Sequence, residues 1–115
     1  MKMSTAIQRA NELRLNALSE EQKAAWVWDL DNQVGEMMKI PPRPFPWPEV
    51  DPELLMPAPY EEIYPLYLVC KIDYYNQEMS LYSNDRAIYN AAMNEARAWW
   101  RRYHRPRRNR NWKVW

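Results

Sequence analysis

Two small groups of side chains invite a catalytic reading. Cys70 and His104 are the only cysteine and the only histidine of the chain. A thiol beside an imidazole makes an activated nucleophile. Cys70, however, lies in the apolar run Leu68-Val69-Cys70, and a thiol buried in such a run is ordinarily inert packing. Glu61 and Glu62 are adjacent carboxylates of the kind general acid–base work requires. They also stand where a helix begins, and acids in a first turn complement the helix dipole. One cysteine and one histidine cannot build a Cys/His zinc site. The lone Gly35 cannot make a glycine-rich phosphate loop. The sequence therefore predicts no catalytic residue, no metal and no cofactor, and a protein that is not an enzyme.

The C-terminal stretch carries a stronger signal. From residue 101 on, the chain holds Arg101, Arg102, Arg105, Arg107, Arg108, Arg110 and Lys113 with no acid, so this segment is +7. The first 100 residues hold nine basic and fifteen acidic side chains, a net −6. The overall +1 thus conceals an acidic body and a basic tail, a polarity typical of interaction tails. Trp112, Val114 and Trp115 are interleaved with the tail charges. Basic residues with aromatics bind nucleic acid through phosphate neutralisation and base stacking. They serve equally well on an acidic protein surface, where indoles and guanidinium groups dominate contact energy.

These residues need elements to place them. A chain of 115 residues suits one domain, and one glycine is too few for the tight turns of a sandwich or barrel. A helix is predicted from Ser4 or Thr5 to Asn16, with Ile7, Ala10, Leu13 and Ala17 in a stripe at helical spacing. Ser19-Glu20-Glu21-Gln22 reads as a capping box opening a second helix to about Met38. Trp26, Leu30, Val34 and Met37 lie on one face of it. Residues 41–59 contain eight prolines, which no regular helix or central strand survives. Phe45, Trp47, Leu54, Leu55 and Met56 lie among them. The stretch is therefore read as an extended arm that lays apolar side chains on a surface, with a disordered proline-rich segment as the rival reading, against which the apolar content argues. Helicity resumes near Tyr60, with Pro65 at a kink or in the first turn of a helix starting slightly later, and breaks at Asn76-Gln77. The last helix is predicted from Glu78 to Tyr103, with Tyr82, Tyr89, Met93, Ala96, Trp100 and Tyr103 on one face, and Pro106 ends it.

The expected fold is all-α: a small bundle of about four helices over 1–106, with the proline-rich arm at 41–59 and a basic, aromatic extension at 107–115. Its expected core includes Trp26, Leu30, Leu68, Ile72, Tyr82, Tyr89 and Met93. A small domain has little room for seven tryptophans. Trp28 and Trp99, with Phe45 and Trp47 of the arm, are therefore assigned to subunit interfaces. No apolar run reaches the roughly 18 residues of a transmembrane helix, and residues 1–16 lack a signal peptide's apolar region. A lone cysteine fits a reducing compartment. The protein is expected to be made and used without secretion or membrane insertion.

Two stretches resemble the head–tail connector (adaptor) proteins of tailed bacteriophages. The first runs Ala6-Ile7-Gln8-Arg9-Ala10-Asn11-Glu12-Leu13 and continues through Asn16, Ser19, Lys23 and Trp26 to Leu30-Asp31. It is similar to that family's short helix, asparagine turn and second helix with an early Lys-x-x-Trp. The second runs Pro57-Ala58-Pro59-Tyr60-Glu61-Glu62-Ile63-Tyr64, then Tyr67-Leu68, Ile72-Asp73, Glu78, Tyr82, Asn84 and Tyr89-Asn90. It looks like the family's proline–tyrosine lead-in, its Tyr-Leu…Ile-Asp helix and its long final helix. The order and spacing of these pieces carry the resemblance. It covers most of the chain outside the arm and the tail. The sequence departs from the pattern where the glycine often found near Gln77 is missing and where the arm is unusually rich in proline.

The resemblance implies a structural virion protein made in the host cytoplasm. It would assemble into a homo-oligomeric ring of about twelve copies, dock on the portal protein, and continue the tunnel for double-stranded DNA towards a stopper or tail protein. It places the portal contact in the C-terminal segment: Arg105, Arg107, Arg108, Arg110, Trp112, Lys113 and Trp115. Asp73 and Asn90 match family positions and are expected to be buried and bonded at helix junctions. An acidic body also suits a tunnel wall, because repulsion from phosphate lets DNA slide. The alternative reading is a small nucleic-acid-binding protein whose tail contacts phosphates.

Overall fold

The computed structural model describes residues 1–104. Four α-helices account for most of them: α1 (Met3–Leu13), α2 (Glu20–Met37), α3 (Ile63–Tyr75) and α4 (Met79–His104), with a short 3₁₀ turn at Tyr60–Glu62 before α3. Among the described residues there is no strand, only an isolated antiparallel bridge between Lys2 and Glu53. The fold is all-α.

Local chemistry sets the boundaries. Ser19 caps α2: its Oγ accepts the Gln22 N–H at 3.1 Å, and Glu20 and Glu21 occupy the first turn. α1 stops at Leu13, three residues before the predicted end. Beyond it the Asn16 side chain competes with the helix for backbone partners: its amide donates to the Arg14 carbonyl at 3.0 Å and its oxygen accepts the Leu18 N–H at 3.2 Å. Pro65 is the third residue of α3, in the first turn, where its missing N–H costs nothing. The Asn76-Gln77 break closes as a helix cap. The Glu78 N–H donates to the Asp73 carbonyl at 3.0 Å and Gln77 to the Tyr74 carbonyl at 3.1 Å, with Gln77 at φ 58°. This left-handed position usually belongs to glycine. Gln77→Gly is therefore expected to stabilise the protein by about 0.5–1 kcal/mol, the left-handed penalty less the extra chain entropy of glycine; urea unfolding midpoints measure it.

α3 is the hub. It packs against α4, α1 and α2 and buries Ile63, Tyr64, Pro65, Leu68, Val69, Cys70, Ile72 and Asp73. The core around it contains Trp26, Leu30, Tyr89 and Met93. The ring partner of Trp26 is Tyr75 at the end of α3, with centroids 5.1 Å apart, and Tyr89 pairs with Tyr67. Tyr82 departs from its expected core place. It is half-buried, edge-on to Tyr74, because the seven-residue step back from Tyr89 leads past the last covering turn of the bundle. Helix length explains the opposite end of that stripe. α3 has 13 residues and α4 has 26, about 20 Å against 39 Å. The buried face of α4 is Asp85, Tyr89, Met93 and Ala96, and the helix then overhangs its support, so Trp100 is only partly covered and Tyr103 is 70% exposed.

Candidate interaction surfaces

Three buried polar clusters fix the surfaces of this bundle. The first fastens the arm. Asp31 of α2 is fully buried. Its Oδ1 accepts the Leu55 N–H at 2.9 Å and the Tyr64 hydroxyl at 2.6 Å, and the Tyr64 oxygen in turn accepts the Met56 N–H at 2.9 Å. Asp31 Oδ2 lies 2.9 Å from an Arg43 guanidinium nitrogen, in an ion pair too bent for a hydrogen bond. Burial, then the charge and hydrogen bond of Asp31, push the Tyr64 hydroxyl far above its ordinary pKa, so it stays a donor. Arg43 also donates to the Asp31 carbonyl at 3.0 Å and lies 4.5 Å from the Trp28 ring centre. Gly35 is where the arm crosses: an added Cβ would sit 3.3 Å from a Leu55 methyl and 3.5 Å from Arg43.

Trp28 is corrected by this cluster. The side chain assigned to a subunit interface is 6% exposed, and its indole N–H donates to the Arg43 carbonyl at 3.0 Å. The arm of the same chain is what covers it. Leu54 and Met56 of the arm enter the core. Trp47 packs beside α1, with Ser4, Ile7, Gln8 and Asn11 around it, and Phe45 stays exposed.

The second cluster joins three elements at one end. Arg14, just past α1, pairs through Nε with Asp73 of α3 at 2.9 Å and through a terminal nitrogen with Asp85 of α4. Asp73 is 1% exposed, and its Oδ2 has no hydrogen-bond partner. Two ionised carboxylates cannot donate to each other, but one shared proton gives that oxygen a partner. Burial, then the hydrogen bond with Asp85, hold Asp73 up at about 6 against the opposing pull of Arg14. In the third cluster, buried Lys23 donates to the side-chain oxygens of Asn11 at 2.7 Å and Asn16 at 3.0 Å, which sets the α1–α2 turn. Asp73 is thus buried and bonded, as expected, whereas Asn90 is exposed with no protein partner among the described residues: it stands about 100° round α4 from Tyr89, at the rim of an open cleft it shares with Tyr67, Tyr89 and Met93.

The helix ends gather into two unlike poles. At one, the α1–α2 and α3–α4 turns meet through the Asn76 amide and the Leu15 carbonyl, 3.4 Å apart. Leu13, Leu15, Tyr74, Tyr75 and Met79 are exposed there, Leu15 by 92%. Glu12 and Glu78, beside Leu13 and Met79 in the chain, and Glu21, in the first turn of α2, are all exposed. At the other pole lies the overhanging end of α4, with exposed Arg97, Arg101, Arg102 and His104. Trp99 is partly covered there by Tyr60, the rings stacked 5.1 Å apart, and Trp100 stacks on His104. An open cleft of about 670 Å³ separates Trp100 and Arg101 from Met37 of α2.

The two catalytic pairings do not assemble. Burial pushes the Cys70 thiol up to about 11, and Asp85 and Arg86 are its charged neighbours. His104 lies 18 residues beyond Arg86 on the same helix, about 27 Å away. Glu61 is bonded to the Met1 amino group and Glu62 to Arg9. Among the described residues no three His, Cys, Asp or Glu side chains are grouped to hold a metal, and no helix is long and apolar enough to cross a membrane. The residues assigned to the portal, Arg105, Arg107, Arg108, Arg110, Trp112, Lys113 and Trp115, lie outside the described residues.

Sequence reasoning missed the first cluster and, of the second, expected Asp73 to be bonded but not its partners Arg14 and Asp85, although for the first one signal was present. Asp31 falls four residues after Val27 and three before Val34, a charge within the apolar stripe of α2, and a charge there implies a buried partner. No family model matches the chain, and neither does a curated protein or a solved structure.

Proposed function

We propose that the chain is a structural subunit of the head–tail connector of a tailed bacteriophage. Copies form a ring that docks on the portal protein and continues the DNA tunnel towards the stopper or tail. The observation that carries this reading is the pair of poles. One small rigid body bears an uncovered acidic, apolar end and, about 39 Å along α4, an overhanging basic, aromatic end that leads into the tail. A subunit with unlike sticky ends makes heterologous contacts, which close into rings when the rotation allows. The resemblance of residues 6–31 and 57–90 to connector proteins supports the same reading, with the basic segment 107–115 as the portal contact.

Native mass spectrometry of the full chain, with and without portal protein, tests it. A ring, or a complex on the portal, is expected, and deletion of residues 107–115 should abolish the portal complex. Charge reversal at Arg107 and Arg108 should slow association, whereas Trp115→Ala should mainly speed dissociation. A chain that ignores portal protein and shifts DNA in a salt-dependent way overturns the proposal in favour of a nucleic-acid-binding protein.

A further inference from the structure

Among the described residues nothing covers the acidic, apolar pole. Five large apolar side chains are exposed on two adjoining turns, where single scattered ones are normal and a cluster marks a binding surface. Among the described residues, Glu12, Glu21 and Glu78 beside them make no ion pair. Among the described residues the one arginine at this pole, Arg14, is already engaged by Asp73 and Asp85, and the Lys71 ammonium, one turn before Tyr75, lies over the Trp26 and Tyr67 rings. The pole therefore asks for a ligand that is basic and apolar together.

One segment of this chain has that composition. Residues 105–115 carry Arg105, Arg107, Arg108, Arg110 and Lys113 with Trp112, Val114 and Trp115, and no acid. We propose that in the free protein this segment docks on the acidic, apolar pole of a neighbouring copy. Guanidinium groups face the glutamates, and the indoles cover Leu15, Tyr75 and Met79.

Reach favours the neighbour over the segment's own subunit. Trp112 is eight residues beyond His104 and extends at most about 29 Å from it, and Trp115, eleven residues beyond, reaches about 40 Å only with every residue fully extended. The way back along α4 to its own pole is about 39 Å. A copy whose pole lies at the end of the first copy's α4 is within reach at any extension. The contact is heterologous, since tail and pole are different surfaces, so it propagates from copy to copy. It stands on the pole's chemistry and not on the connector reading. If that reading also holds, the portal and the neighbour's pole compete for one segment, and portal binding releases the self-associated form.

Cysteine cross-linking tests this. Leu15→Cys places a thiol on the pole at a residue that is 92% exposed, so the fold is undisturbed. Lys113→Cys places one in the tail and keeps both indoles. The native Cys70 is 2% exposed and leaves the background low. The two single variants, mixed as full-length chains and treated with a short bismaleimide, are expected to give a band at twice the chain mass that neither gives alone. Its yield should fall several-fold at 1 M salt, where the screening length is about 3 Å. A linked dimer from Leu15→Cys alone means pole-to-pole packing and overturns the proposal. So does a purely intramolecular link in the double variant, or the absence of any link. The portal measurements are separate: cross-linking without portal binding sinks the connector reading alone, and portal binding without cross-linking sinks this inference alone.

Discussion

Asp31→Ala is expected to lower stability by about 3–5 kcal/mol, the usual cost of removing one partner from a buried ion pair, and to release the proline-rich arm. The fully buried Asp31 carboxylate answers three donors: the Leu55 N–H, the buried Tyr64 hydroxyl and the partly exposed Arg43 guanidinium. Its loss takes the acceptor from the first two, and an unsatisfied buried donor costs about 1–3 kcal/mol on its own, while Arg43 keeps the Asp31 carbonyl and Asn32 as partners but loses its counter-charge. Tyr64→Phe removes a single member, the link between Asp31 and the Met56 N–H, and should cost about 1–3 kcal/mol. Two measurements check this. Urea unfolding gives the loss, and limited proteolysis should cut between residues 41 and 59 in the alanine variant far faster than in the parent. A loss below about 1 kcal/mol, with the arm still protected, would show that the core contacts of Leu54 and Met56 hold the arm by themselves.

The same cluster shows where sequence reading stops. Helix positions followed from local signals, such as the Ser19 cap, the place of Pro65 and the three–four apolar spacing, because a helix end is decided by residues within a turn of it. The route of the arm is decided by contacts far apart in sequence. Arg43 meets Asp31 twelve residues away, Leu55 meets it across 24 and Tyr64 across 33. Periodicity cannot rank such contacts, so Trp28 looked spare when in fact the arm returns over it. Both ends of the α4 stripe were misjudged for a related reason. A stripe says which face is apolar, but only the neighbouring elements say how much of it is covered: Tyr82 lies past the last covering turn of the bundle, and Trp100 and Tyr103 lie past the end of the shorter α3. The acidic, apolar pole was out of reach as well, since it is assembled from two turns that neighbour one another only once the helices have folded back, whereas the basic pole is one helix end whose charge the sequence already displays.

Arg14→Met is expected to cost about 3–5 kcal/mol at pH 7 and much less in mild acid. The methionine keeps part of the apolar stem but removes the only cation between Asp73 and Asp85. In the parent protein Asp73 is held at about 6 in the folded state against an ordinary 3.8. The folded chain therefore binds more protons than the unfolded chain between those values. The contribution of Asp73 is present in full below about pH 4 and is lost as the pH rises through about 6. Without Arg14 nothing favours the ionised form, so the folded-state value moves higher still, and the variant loses most at neutral pH. Over the range in which Asp73 is protonated in the folded variant and ionised in the folded parent, the gap between them should narrow by about 1.4 kcal/mol for each pH unit of acidification. Urea unfolding of both proteins at pH 5, 6 and 7 measures this. A gap that stays level, or widens in acid, would mean that Arg14 acts through packing and not as the counter-charge of a buried carboxylate pair. The consequence reaches the surface, because Arg14 sits between Leu13 and Leu15 and also bonds the Leu13 carbonyl. Once it is released from Asp73 and Asp85, the two leucines lose their fixed place beside Tyr74 and Tyr75. Cross-linking between the pole and residue 113 should then weaken at pH 7, and acidification, which steadies the carboxylates without restoring Arg14, should not bring it back.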